Sequence, residues 1–209
     1  MLRDVALARV QDGIGFRRDM VDQIILRMQE EQRDLERGKT LPSFLLVEGA
    51  MLELLSGEQA VDLPADFLRR SPIPLRYYDS PSSQAFREIP WRDYVSASAI
   101  YADYTPSGPA VAALRTTSIQ FFPIADSDYS ISWDYYKRDA LLTSNIENLW
   151  LEFAPELIIG GAGLRLSLDL RNKEGAMLFG NMYKQARQTW FSETIVEESE
   201  EIIVLGGNA

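Results

Sequence analysis

Residues 129–136 read YSISWDYY, and residues 137–164 read KRDALLTSNIENLWLEFAPELIIGGAGL. In the first stretch Tyr129, Ile131, Trp133 and Tyr135 alternate with Ser130, Ser132 and Asp134. That two-residue repeat predicts a strand with one buried face. The second stretch reads as helix. Thr143 is placed to cap a helix running to about Phe153, with Glu147 near its first turn. Pro155, after Ala154, suits the first position of a following helix. That helix carries Leu157, Ile158, Leu164 and Leu168 together with Gly160, Gly161, Ala162 and Gly163. Small residues cost helix propensity, yet they let another helix or backbone approach very closely.

Upstream, LRTTSIQFFP (114–123) is β-branched and aromatic and predicts a strand. The residues IADSD (124–128) then form the turn of a hairpin over about 114–136. Two strands cannot cover the row Tyr129, Ile131, Trp133 and Tyr135 by themselves. More strands, a helix or a neighbouring subunit must therefore cover it.

Working outward, residues 3–11 suit a short helix broken by DGIGF (12–16). Residues 17–37 predict a stronger one, with Met20, Val21, Ile24, Ile25 and Met28 on one stripe and Leu35 two turns on. Arg27, Glu30, Glu31, Arg33 and Asp34 form its charged face. Residues 43–104 are strand-like and loop-like, and Pro64, Pro72 and Pro74 argue against helix there. The stretch SFLLVEGAMLEL (43–54) and the stretch 94–104 fit either helix or strand. A last amphipathic helix is expected over about 174–197. The end, EESEEIIVLGGNA, places a glutamate cluster before the apolar run Ile202–Leu205. That run reads as a lone strand, able to join a sheet of its own chain or a partner's sheet edge. The expected fold is α+β, mainly α: N-terminal helices over 1–42, a β-rich insertion over 43–140, C-terminal helices over 141–197 and an extended C-terminal arm over 198–209.

The chain contains neither His nor Cys. Ser-His and Cys-His catalysis, disulfides and Cys-ligated zinc are thereby excluded. The net charge of −10 at pH 7 does not attract nucleic acid by phosphate neutralisation. The charged opening residues MLRDVALARV are unlike a signal peptide, and the apolar runs are too short to span a bilayer. A protein made in a cytoplasm is expected.

Other signals have plainer readings. GGAG (160–163) lacks the spacing of a phosphate-binding loop and follows a helix rather than a strand. Asp126 and Asp128 suit turn chemistry better than a cation site. Carboxylates are plentiful, but no spacing singles out a catalytic pair. Trp91, Trp133, Trp150 and Trp190 suit a core, an interface or a sugar groove. A carbohydrate-binding module therefore stands as an alternative function.

Several stretches together resemble the head-to-tail adaptor (connector, neck) proteins of tailed bacteriophages, especially the short-tailed type. They are LPADFLR (63–69), residues 118–170 and the helix after them. The shared pattern is a proline-ended strand, a Tyr-rich return strand, then Leu-Thr, Asn, Trp-Leu, Pro and a run of apolar and small residues. Here its positions are Pro123, Tyr129, Tyr135, Tyr136, Leu142, Thr143, Asn148, Trp150, Leu151 and Pro155, with Leu157 to Ala162 after them. The resemblance implies a helical bundle with a β-rich insertion, assembled as a ring, commonly of twelve subunits, beneath the portal. It implies no catalytic residue, cofactor or metal. The implied partners are the portal protein, a tail nozzle protein and further copies of the chain, with DNA passing through unbound. Twelve copies would carry a charge on the order of −120, a field that keeps phosphate off the wall. Two interfaces are expected. One is lateral, through the helices at 17–37 and 155–190. The other meets the portal through Thr194, Glu197, Glu198, Glu200, Glu201, Ile202, Ile203, Val204 and Leu205.

Overall fold

The computed structural model describes residues 2–78, 86–143 and 147–206; the side chains of 191–206 lie outside that description. Helix makes up about 44% of it and strand about 24%. The expectation of a mainly helical bundle is therefore corrected, because the proline-bearing stretch after residue 43 pairs as strands rather than running as loop. The chain divides into two compact units, one from Met1–Leu45 with Asp139–Ala209, the other from Leu46–Arg138.

The helical unit begins with α1 (Arg3–Gly13) and a 3-10 turn at Arg18–Met20. In α2 (Val21–Glu36) the buried residues are Ile24, Met28, Glu31, Gln32, Leu35 and Glu36. Their three- and four-residue spacing keeps one face inward. After α4 (Leu149–Phe153), Pro155 opens α5 (Pro155–Asp169) at its first position. Helix α5 is buried continuously from Leu157 to Gly163, as a helix walled in by others must be. The small residues make this possible. A Cβ on Gly160 would lie 3.0 Å from the Tyr183 backbone, one on Gly161 would overlap the Glu31 carboxyl, and one on Gly163 would meet the Phe179 ring. Close approach is thus spent inside the chain, against α2 and α6 (Lys173–Gly206). The turn into α6 is closed by Asn172, whose N–H donates to Ser167 O at 2.8 Å and whose Oδ1 accepts from Gly175 N at 3.0 Å.

Helix α6 overturns a second expectation. Its backbone remains helical to Gly206, so Ile202–Leu205 is not an extended strand. The glutamates that precede the run are good helix formers and carry the helix through it.

The strand unit holds β1 (Leu46–Leu54), β2 (Ala60–Asp62), β3 (Phe67–Arg70), β4 (Leu75–Tyr78), β5 (Phe86–Ile89), α3 (Tyr94–Ile100), β6 (Val111–Leu114), β7 (Ser118–Phe122) and β8 (Tyr129–Lys137). Among the described residues two antiparallel sheets form. One runs β1-β8-β4-β5, with β3 also on β8; the other runs β2-β7-β6. Strand β8 is central, with Ile131 opposite Leu52 on one side and Tyr77 on the other. Its row is inward as the alternation predicts: Ile131, Trp133 and Tyr135 are buried and Tyr129 half-buried. Trp133 stacks on Tyr135 and Phe67, at 4.8 and 5.8 Å between ring centroids. The row is thus packed by its own unit, where Leu52, Leu75, Ile89, Ile119, Phe121 and Ile131 of both sheets share one core. Strand β1 bulges between Val47 and Ala50; Gly49 there has φ +61° and donates its N–H to Asp134 Oδ1 at 2.7 Å.

The expected 114–136 hairpin is not formed. The real turn is at Arg115–Thr117, where Arg115 N donates to Ser118 O at 2.8 Å and β6 pairs with β7. Threonines, good strand formers, occupy this turn and hide it. Strand β7 ends at Pro123, which has no N–H to pair. The chain then crosses from one sheet to the other, and residues 124–128 are held by the 56–58 segment. Gly57 N donates to Ala125 O, and Ser56 N to Asp128 Oδ1, both at 2.8 Å.

Candidate functional site

Two groups of polar side chains are gathered by the helical unit. The first is a buried knot around α4. Asn148 caps that helix, its Oδ1 accepting from Leu151 N at 3.0 Å. Its Nδ2 donates to Ala140 O at 2.7 Å and to Gln32 Oε1 at 3.3 Å. Gln32 Nε2 donates to Glu36 Oε1 at 3.0 Å, and Trp150 Nε1 donates to the same oxygen at 3.3 Å. Asp139 Oδ2 accepts from Leu149 N at 2.6 Å. Gln32, Glu36, Asn148 and Trp150 are all buried. The knot fixes α4 against α2 and turns its polar atoms on one another. Thr143, the cap expected from sequence, is exposed; its carbonyl accepts from Arg3 Nη1 at 2.9 Å.

The second group lines a cleft of about 520 Å³ among α2, α5 and α6. Glu31 is 2% exposed and faces Gly161. Tyr183 donates its hydroxyl to Glu31 Oε1 at 2.7 Å. Arg165 Nη2 bridges Glu31 Oε2 at 2.9 Å and Asp34 Oδ2 at 2.8 Å. Burial pushes the Glu31 carboxyl above its ordinary range, against the pull of the Tyr183 hydrogen bond and the Arg165 charge. Burial, then the bond to Glu31, pushes the Tyr183 phenol up to about 12. The carboxylate and phenol are therefore pinned to each other, and the arrangement ties three helices together. Among the described residues no group of three or more Asp and Glu is placed to hold a metal ion.

The remaining sequence-selected residues serve the fold. Asp126 accepts from the Tyr129 hydroxyl at 2.6 Å, which holds its carboxyl below the usual range. Tyr135 donates to Asp66 at 3.0 Å. Tyr136 lies opposite Leu46 and Arg69 in the sheet. Pro123, Leu142 and Leu151 are buried. Trp133 and Trp150 are core residues, Trp91 donates Nε1 to Ile73 O at 3.2 Å, and Trp190 edges the cleft. Thr194, Glu197, Glu198, Glu200, Glu201 and Ile202–Leu205 fall in α6, where only the backbone is described.

Sequence reasoning missed Glu31, Gln32 and Glu36 and placed Glu31 on the charged face. The signal was present: positions 31 and 32 lie seven and eight residues after the apolar Ile24, and position 36 lies eight after Met28, which is the same face of a helix.

Among the described residues no helix is long and apolar enough to cross a membrane. No curated protein matches the chain. Residues 2–194 match the family model described as SU10 adaptor protein, a span that runs from α1 through both units and most of α6. The chain belongs to the SU10 adaptor protein family and is a structural adaptor of a bacteriophage virion.

Proposed function

We propose that this protein is the head-to-tail adaptor of its virion: a ring, twelve copies in number, that joins the portal to the tail nozzle and continues the DNA channel. The family match over residues 2–194 carries the reading. Two observations support a structural mechanism. The polar groups that the fold gathers are bonded to one another rather than aimed at a substrate. The net charge of −10 per chain suits a wall that DNA must slide past without sticking. In this reading the helices at 17–37 and 155–190 meet neighbouring copies, and the 194–205 end of α6 meets the portal. The function is geometric, turning one ring's symmetry into a seat for the next component during genome packaging and ejection, with no turnover. Purified chain mixed with portal rings of the same phage should appear by electron microscopy as a second ring stacked on the portal. Portal rings that stay bare at saturating chain would overturn the reading.

A further inference from the structure

The helical unit presents two unlike surfaces, one on each side of the seam between α5 and α6. On the first side is the cleft among α2, α5 and α6, which Tyr183, Arg187 and Trp190 edge. On the second, Met182, Ala186 and the same Trp190 face Phe153, Glu156 and Leu157 across a smaller hollow of about 360 Å³. Helical spacing makes the division. Counted from Tyr183, Arg187 is set about 40° round α6 one way, and Ala186 about 60° the other. The two sides differ in charge and in shape. Three cations, Lys39, Arg165 and Arg187, line the cleft against two carboxylates, Glu31 and Asp34, so it is locally positive in a chain of net charge −10. Its walls are already fixed, because Arg165 is held by Glu31 and Asp34, and Glu31 by Tyr183. Filling it therefore costs little ordering. The second side carries a projection. Phe153, the last residue of α4, is 59% exposed although its ring stacks on Phe44 at 5.2 Å. The exposed carboxylates of Glu152 and Glu156 flank it, the latter 3.6 Å from Arg9.

We infer that Phe153 of one copy seats in the α2–α5–α6 cleft of a second copy, with Glu152 and Glu156 meeting Lys39 and Arg187 at its rim. Complementarity identifies the occupant. An exposed aromatic ring between two carboxylates matches a concavity of about 520 Å³ edged by Tyr183 and Trp190 and carrying an excess of positive charge. Phe153 cannot fill the cleft of its own chain, since the α5–α6 seam and Trp190 stand between them. Nor does the acidic side suit a copy of itself, because that would set Glu152 and Glu156 of both chains against each other. A contact between two different faces leaves one face of each kind unfilled after every step. It therefore repeats from copy to copy and ends only where the rotation closes a ring. The inference rests on the adaptor reading for the ring, and names the two faces that close it.

The chain contains no Cys, so single cysteines report the contact. Full-length chain carrying Phe153→Cys is mixed in equal amounts with chain carrying Thr40→Cys, a residue of the cleft wall. Portal rings of the same phage and a short thiol-to-thiol cross-linker are added. Covalent dimers form in the mixture and only weakly with either chain alone. In parallel, Phe153→Asp raises the concentration of chain that half-fills the portal rings at least about tenfold, while Phe153→Leu preserves it. Arg187→Glu also weakens filling, and Glu152→Arg added in the same chain restores it, which a purely structural role of either residue would not do. Portal rings that fill while the mixture cross-links no better than its separate chains overturn the contact and leave the adaptor reading standing. Portal rings that stay bare overturn the adaptor reading. The cross-linker then reads the contact in concentrated chain alone, where an absence of mixed dimers overturns that as well.

Discussion

Trp150 in the helical unit and Trp133 in the strand unit are buried to nearly the same depth, yet their indole nitrogens differ. Trp150 Nε1 donates to Glu36, inside a knot that also engages Gln32 and Asn148. Trp133 Nε1 has no hydrogen-bond partner among the described residues, and its ring is held by Phe67 and Tyr135. The contrast has a physical source. Strand pairing already specifies which residue of β8 meets which neighbour, so an aromatic stack has only to fill space. Helices can slide and rotate against each other, and a satisfied polar knot removes that freedom.

Truncation should give the largest effects and rank the two sites. Trp150→Ala and Trp133→Ala should each cost about 3–5 kcal/mol in urea denaturation. Trp150 should stand at the upper end, because its loss takes a donor from buried Glu36. A loss under about 1 kcal/mol at Trp133 would mean that its face of β8 is not core. The sharper test is replacement by Phe, which keeps most of the ring. Trp150→Phe should destabilise by about 1–3 kcal/mol more than Trp133→Phe, since only the former removes a made hydrogen bond. Equal costs would erase the distinction between the units.

The smallest effect concerns Glu31. Burial raises its carboxyl in the folded state, so its favourable contribution is complete below the unfolded value and is lost as pH rises through the folded one. Glu31→Gln cannot titrate. The stability of wild type relative to this variant should therefore decline as pH rises from the acid side of the ordinary carboxylate range towards neutrality. A gap that grows in favour of wild type over that range would show that Arg165 and Tyr183 outweigh desolvation.

What the sequence made legible was local. The alternation of YSISWDYY marks β8, the apolar stripe marks α2, Pro155 opens α5, and the small residues of α5 announce close approach. What stayed hidden depends on distant partners. Strand β8 pairs with residues 46–54, 67–70 and 75–78 rather than with the strand just before it. Nothing local distinguishes the Thr-rich turn at 115–117 from strand. Glu31 and Glu36 look like surface charges until α4, α5 and α6 close over them. Asn148 rather than Thr143 became the cap because Ala140 and Gln32 are there to take its amide.

The order of strands has a consequence for synthesis. The central strand of the larger sheet is the last of its unit to be made, and the helical unit waits for α5 and α6, encoded later still. A nascent chain paused at residue 128 has edges with no middle strand to join them, and α1 and α2 without the α5 on which both pack. Neither unit can therefore close until these segments have been made, and contacts so far apart along the chain favour slow folding. During that interval the half-made sheet exposes unpaired strand edges, the kind of surface through which chains aggregate.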